Sequence, residues 1–421
     1  MDFRKNGVGW RSIRRVTMKK ALIIMVMLIV ISTSGFSQTV WNVNDGSAWI
    51  EAVNGIRSGG NNKTYTINVA GTISAFPSEG GNTFGSVTGI TVTIQGDGVL
   101  SPSRNGILIY IGNSQTVIIK NIELRGIDRN NSNPLVRIDN GGTFRMQGHA
   151  AVSDNSGNGV LLTNGTNANF IMQDSASVRD NTGTGVVVNS GTFTMQDKSS
   201  VSGNYNLAND PLRSGGGVYV AGTFIMKNNA SVHNNYTEDS NGGGGVYVTH
   251  GTFTMQDNAS VSNNISINGN GGGVRLYDGT FTMQANASIS GNEAANDGCG
   301  GGVYVEKVGR GGNFTMQGNA SISGNVALSG GGVYVYGGTF TMQGSASLSG
   351  NKAYKNGGGV YLFYGTLNKT GGTIYGSNAE ESLSNTAAER GSAVNNGNSS
   401  WRNATAGPTM NTNTFGFWLD D

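Results

Sequence analysis

The sequence predicts an all-β fold, a right-handed single-stranded parallel β-helix of about twelve coils with a short N-terminal capping helix. Three observations predict it. A unit of 23 to 33 residues recurs along the chain, each unit holds three short segments of alternating polarity, and glycine supplies 69 of 421 residues. The glycine share is well above the usual ~7%. Charged residues, at 12%, are about half the usual ~25%. Disordered chains rely on high net charge to stay expanded, so this composition reads instead as many tight turns between short strands.

The first element is an export signal. Lys19 and Lys20 form a basic region after Met18, residues 21–31 are an unbroken apolar run, and Gly35 and Ser37 are small residues at the −3 and −1 positions of a cut before Gln38. The run matches a signal h-region and is shorter than the ~20 residues of a spanning helix. Met18 is then the expected initiator, and residues 1–37 are expected to be removed. Those residues carry seven Lys/Arg and one acid, which leaves 20 basic and 24 acidic residues in the body. A body near −4 excludes the basic footprint of a nucleic-acid-binding protein. A single cysteine, Cys299, excludes an intramolecular disulfide framework and a cysteine-based metal site.

Residues 38–63 are expected to form an N-terminal cap. From Asp45 to Arg57 the spacing is helical, with Trp49, Ile50 and Val53 on one side. An open β-helix end exposes unpaired strand edges that invite aggregation, and a short amphipathic helix covers them. Residues 64–140 read as degenerate coils, with strand-like runs at 65–69, 90–94, 107–111 and 117–119.

Residues 141–395 are the regular repeats. The block GGGVYVYGGTFTMQGSASLSGN spans 330–351, and GGGVYVTHGTFTMQDNASVSNN spans 243–264. The methionine of the F-x-M-Q or F-x-M-K element recurs at Met146, Met172, Met195, Met226, Met255, Met283, Met316 and Met342. The valine opening the unit recurs from Val160 to Val360, with a weaker copy at Val394. Within T-F-T-M-Q, period-two alternation turns Phe340 and Met342 inward and Thr339, Thr341 and Gln343 outward. Phe to the apolar residue of the third segment is constant, as in Phe193 to Val201 and Phe340 to Leu348. The link from S-G-N to the next G-G-G varies, eight residues from Asn325 to Val333 and fourteen from Asn204 to Val218. Insertions collected at one corner are what a solenoid tolerates. The units are too short for propeller blades and contain no helical period. Stacked coils ~4.8 Å apart then form ladders of identical residues, and twelve make a rod of roughly 60 Å. An asparagine closes the third segment at 155, 181, 204, 235, 264, 292, 325 and 351, where a left-handed turn residue bonding its copy in the next coil is expected. Residues 396–421 are the expected C-terminal cap, with Trp401, Phe415, Phe417 and Trp418 as its plug.

The GGGV and FTMQ elements resemble the GGA(I/V/L) and FxxN pairs of the polymorphic outer-membrane proteins and related adhesin-like β-helix repeats of bacteria, over about residues 141–395. Here Gln stands where that family has Asn. Members of the family end in a membrane β-barrel, whereas this sequence ends in Trp418-Leu419-Asp420-Asp421. The resemblance implies a pectin-lyase-like β-helix at the outer-membrane surface with an adhesive role.

Chemistry is sparse. Asp154 and Asp180 occupy equivalent turns of neighbouring coils and, with Arg179 and His149, form the one constellation a polysaccharide lyase or hydrolase could use. Solvated turn residues explain the same pattern. His149, His233 and His250 fall in different segment types, against a shared zinc site. No catalytic residue, metal or cofactor is assigned. The outward rows Thr192, Thr194, Gln196, Thr252, Thr254, Gln256, Thr280, Thr282, Gln284, Thr339, Thr341 and Gln343 make a flat polar face, interrupted at Arg145, Ile171, Ile225 and Lys227. That face is the candidate binding surface. The expected function is structural or adhesive, secreted or at the cell surface, with the periplasm as the other location. Host or matrix surface proteins or glycans are the expected partners, and no membrane span is expected after signal cleavage. The alternative is a polysaccharide-binding or polysaccharide-degrading β-helix protein.

Overall fold

The computed structural model describes residues 39–397 apart from 79–80, 129–132, 140, 164, 166, 208–213 and 310. The export signal and the aromatic plug at 401–418 lie outside the described residues. Between them the chain is a right-handed parallel β-helix of about twelve coils, with one helix among the described residues.

The helix, α1 (Gly46–Ser58), starts at Asp45, whose carboxylate accepts the Ala48 N–H at 2.8 Å and so satisfies one of the free amides of the first turn. Its buried side is Trp49, Ala52, Val53 and Ile56. Ile50, expected on that side, is 39% exposed; at 100° per residue the stripe continues through 52 and 56 instead. A strand, Thr39–Val43, precedes the helix and pairs with Thr64–Val69, so the cap region holds more than a helix.

Each regular coil runs through a valine strand, a phenylalanine strand and a serine strand. Along the stack Val218, Val246, Val274, Val303, Val333, Val360 and Val394 are direct partners. So are Phe193, Phe224, Phe253, Phe281, Phe314 and Phe340. The phenylalanine rings lie nearly parallel, with centroids 4.6 to 4.9 Å apart from Phe170 to Phe340, and are fully buried. Met and Val rows and the alanine of the third segment complete the core. In two coils the valine and phenylalanine strands fuse into ten-residue strands, Val246–Met255 and Val274–Met283.

The structure adds a fourth strand to the three-segment unit. After the ladder asparagine, two-residue strands such as Tyr236–Thr237 and Ile265–Ser266 form a seven-stranded sheet of their own. Their inner row is Asn206, Thr237, Ser266, Ala294, Ala327 and Ala353, all buried. Strands of two residues leave no readable alternation in sequence. Even the variable corner is partly laddered, through the bridges Gly242–Asn270, Cys299–Ser329 and Asn356–Arg390.

The asparagine ladder is wholly buried. From Asn204 onward each Oδ1 accepts twice from the coil before it: Asn235 donates to Asn264 from its backbone N–H and from Nδ2, both at 3.0 Å. The same Nδ2 also reaches the carbonyls of Val201 and His233. The expected left-handed residue is not the asparagine but the one before it: Asp154, Asp180, Asn234 and Asn263 at φ 54 to 56°, and Gly at 203, 291, 324 and 350. A ninth member, Asn385, continues the row beyond Asn351. The G-G-G motif follows from the same ladder. The first glycine, Gly243, takes φ +74°, and a Cβ on Gly245 would stand 2.7 Å from the Gly273 carbonyl and 2.9 Å from Asn264 Nδ2.

Candidate binding faces

The phenylalanine strands place all twelve predicted threonine and glutamine side chains on one outward face. Thr252 partners Thr280, Thr254 partners Thr282, and Asn313 and Thr315 carry the two rows on to Thr339 and Thr341. These side chains are half-buried or exposed. Gln317 Nε2 donates to Gln284 Oε1 at 3.1 Å, one coil to the next. Arg145 and Ile171 lie in the same register ahead of Thr194, and Ile225 interrupts the row between Thr194 and Thr254.

The predicted acid pair is drawn into an ion network on the serine strands. Arg179 reaches Asp180 at 3.0 Å and Glu123 at 2.8 Å, Arg125 pairs with Glu123, and Ser153 Oγ donates to Glu123 at 2.7 Å. Arg125 also approaches Asp154 at 3.6 Å. Glu123 and Arg125, which sit in the degenerate coils, carried no repeat signal. His149 stands in the turn before this strand, outside the network. Each carboxylate here has a guanidinium partner, which suits a structural ion network better than a general acid and base pair. Other acids serve turns: Asp174 accepts the Gly148 N–H at 2.8 Å, Asp197 the Asp174 N–H, and Asp257 the Asn228 N–H. Glu380 and Glu381 are exposed. Among the described residues no three His, Cys, Asp or Glu gather as a metal site.

Cys299, in the corner ladder, is held by its N–H donating to Asn270 Oδ1 at 2.9 Å. Burial pushes its thiol up to about 11, so it is protonated and unreactive at neutral pH.

A face that strand alternation predicts as outward proves richer than the threonine rows. The middle residue of the valine strand stacks Tyr219, Tyr247, Arg275, Tyr304, Tyr334 and Tyr361 in register. The Arg275 guanidinium lies 5.6 Å from the Tyr247 and Tyr304 ring centres and pairs with Glu306 at 2.7 Å. Burial raises the phenols of Tyr247, Tyr304 and Tyr334. Two to three residues further, at the corner leading to the phenylalanine strand, the side chains open to solvent. Tyr336 is 41% and Tyr364 67% exposed. Tyr336 stacks on Phe363 with centroids 5.4 Å apart, and Tyr364 meets Phe363 edge-on at 4.5 Å. Tyr277 and His250 lie in the same corner two and three coils earlier, and His250 Nδ1 is 3.0 Å from Asp278 Oδ2. The V-Y-V-Y and Y-L-F-Y runs were the available signal. Period-two reading marks each tyrosine as outward but does not reveal which are covered.

A cleft of about 480 Å³ lies beside α1, lined by Trp49, Ile50, Arg57, Phe76, Asn82 and Arg104 among others. Both of its cations are engaged by the fold, Arg57 Nε on the Thr83 carbonyl at 3.0 Å and Arg104 over the Phe76 ring.

Comparison with models of protein families, with curated proteins and with solved structures finds no match.

Proposed function

We propose that this protein is an exported β-helix, secreted or displayed at the cell surface, that acts by binding and scaffolding rather than by catalysis. The observation that carries this reading is how the outward positions are used. Thr, Gln, Ser, Asn and Tyr recur coil after coil on a core of stacked Phe, Met and Val. Of the described carboxylates, Glu123, Asp180, Asp197 and Asp257 are tied to guanidinium groups or turn amides. Such a surface is long, regular and chemically mild, which suits multivalent contact with an extended partner. The resemblance to adhesin-like outer-membrane repeats and the signal-like N-terminus support the same reading.

Purified protein is expected to bind host cells or matrix, to lose that binding stepwise as coils are deleted, and to release neither reducing sugars nor unsaturated products from a polysaccharide panel. Product release would overturn the reading in favour of a lyase or hydrolase. Protease treatment of intact cells is expected to degrade the protein; protection would place it in the periplasm.

A further inference from the structure

We propose that the aromatic corner formed by Tyr277, Tyr336, Phe363 and Tyr364 is a binding site for an uncharged polysaccharide chain lying along the solenoid axis. The inference rests on the binding role proposed above and names the ligand class and the residues.

Four observations carry it. First, the corner departs from the repeat. The phenylalanine strands hold Thr and Gln almost throughout, but the residue after V-x-V is Thr249, Tyr277, Glu306, Tyr336 and Phe363 in successive coils. The core cannot require this, because these side chains point away from it.

Second, the rings stand open. Tyr336 and Tyr364 are among the most exposed large hydrophobic side chains described, whereas Tyr247 and Tyr304, lower on the same face, are 7% exposed. The buried row therefore supports an exposed one.

Third, backbone conformation is given up to place them. Where Gly337 takes φ 69°, the equivalent residues of two other coils are His250 at φ 60° and Tyr364 at φ 56°. A bulky side chain in the left-handed region is costly and uncommon, and such positions cluster at functional sites. Glycine is abundant in this chain and fills the same position in the coil between Glu306 and Phe363, so its replacement by tyrosine needs a reason other than folding.

Fourth, the charges cancel. His250 faces Asp278, and Arg275 faces Glu306, with exposed Lys307 beside them. Among the described residues the charges of this corner balance, so they offer a polyanion no basic field and a nucleic acid no cluster of phosphate contacts. Tyrosine offers an apolar ring face and a hydroxyl together, which match the C–H faces and hydroxyl groups of a sugar ring. Coils rise ~4.8 Å apart, and Tyr277, Glu306, Tyr336 and Phe363 hold this corner in four successive coils, so an extended chain of sugar rings meets aromatic rings and polar groups along the axis.

The test is affinity electrophoresis of the mature chain through gels containing a soluble neutral β-glucan, a soluble neutral α-glucan or a polyuronate. A neutral glucan is expected to retard the protein, and Tyr336→Ala/Tyr364→Ala to weaken that binding on the order of tenfold or more. Thr254→Val/Thr282→Val, on the flat threonine face, is the competing arm: a larger loss there than in the tyrosine variant would move the site to that face. Tyr364→Gly relieves the left-handed backbone, so its melting temperature is expected to hold or rise while binding falls; this separates a lost site from a lost fold. The inference is overturned if no neutral glucan retards the protein, if the polyuronate is preferred, or if the threonine variants rather than the tyrosine variants abolish binding. Retained adhesion to cells without any glucan binding sinks this site but leaves the adhesive role standing. Loss of both sinks the adhesive reading itself.

Discussion

The buried asparagines do at residue scale what hydrophobic burial alone cannot. A turn at every coil leaves backbone N–H groups facing inward, and an unpaired buried donor costs about 1–3 kcal/mol. The Asn264 Oδ1 meets one such donor, the Asn235 N–H, and the Asn235 Nδ2 as well, both at 3.0 Å. Asn264→Ala leaves the Asn235 backbone N–H without its acceptor and removes the Asn264 Nδ2 bonds to the Val232 carbonyl and Asn292, so a loss of about 2–5 kcal/mol is expected. The exposed row at the other turn makes a control. Asn258 Nδ2 donates to Asn229 Oδ1 at 3.3 Å in solvent, and Asn258→Ala is expected to cost under about 0.5 kcal/mol. Guanidinium unfolding of the two variants checks this; equal costs would mean that the buried amides do not hold the turn. The asparagine recurrence is plain in sequence. Its placement one residue after the left-handed position is not, because Asp, Asn and Gly all precede it and each tolerates that conformation.

At the scale of elements, two aromatic rows run along the repeats, an inner one of phenylalanine from Phe144 to Phe340 and an outer one of tyrosine from Tyr219 to Tyr361. The inner phenylalanine row is dry, and its stacking adds to its burial. The outer tyrosine row is half dry, and that has a pH consequence. Burial lifts Tyr247 from 10.0 to about 12 and raises Tyr304, Tyr334 and Tyr361 as well. These groups are neutral when protonated, and in the unfolded chain they ionise near 10. Their contribution to stability is therefore complete below pH 10 and is lost as pH rises from there through the folded values. The melting temperature is expected to hold from pH 7 to about 9 and to fall above about 10. Absorbance at 295 nm should show a late-ionising class of tyrosines. A single titration near 10 in the folded protein would show that the row is wet. The alternation V-Y-V told which way these rings point. Covering of the row came from stacking on adjacent coils and from Arg275, which interrupts the tyrosines with a cation between two rings.

For the whole molecule, each coil contacts mainly its neighbours, so stability is nearly a sum of like units and like interfaces. Removing residues 317–342 joins Met316 to Gln343 at equivalent positions and keeps every ladder in phase. The shortened chain is expected to fold with the same β content per residue and to remain monomeric if the parent is. Removing residues 317–329 breaks the phase, sets the valine strand Val333–Tyr336 against the serine strands, and is expected to aggregate through exposed strand edges. Circular dichroism and size-exclusion chromatography of both deletions check this; equal behaviour would mean that coil register does not govern folding. The degenerate coils at 64–140 were legible as strands but not as partners of the regular ones. The register Thr116–Thr143 and Ile119–Met146 supplies that link.

The sequence by itself determined the solenoid, the coil count, the inner Val, Phe and Met rows and the capping helix. All of these follow from near-identical units and from periods of 2 and 3.6, which are local properties. It also placed the threonine face, since alternation alone assigns inside and outside. Only the tertiary structure decided what depends on a neighbouring coil. It supplied the two-residue fourth strand, too short to carry a period, and the ion network that gathers Glu123 and Arg125 around the expected Asp154 and Asp180. It also separated covered tyrosines from open ones. Residues about 28 positions apart become neighbours one rung away, and the exposure of a ring depends on what that neighbour is, so the aromatic corner was not singled out by the sequence and emerges only from the stacked coils.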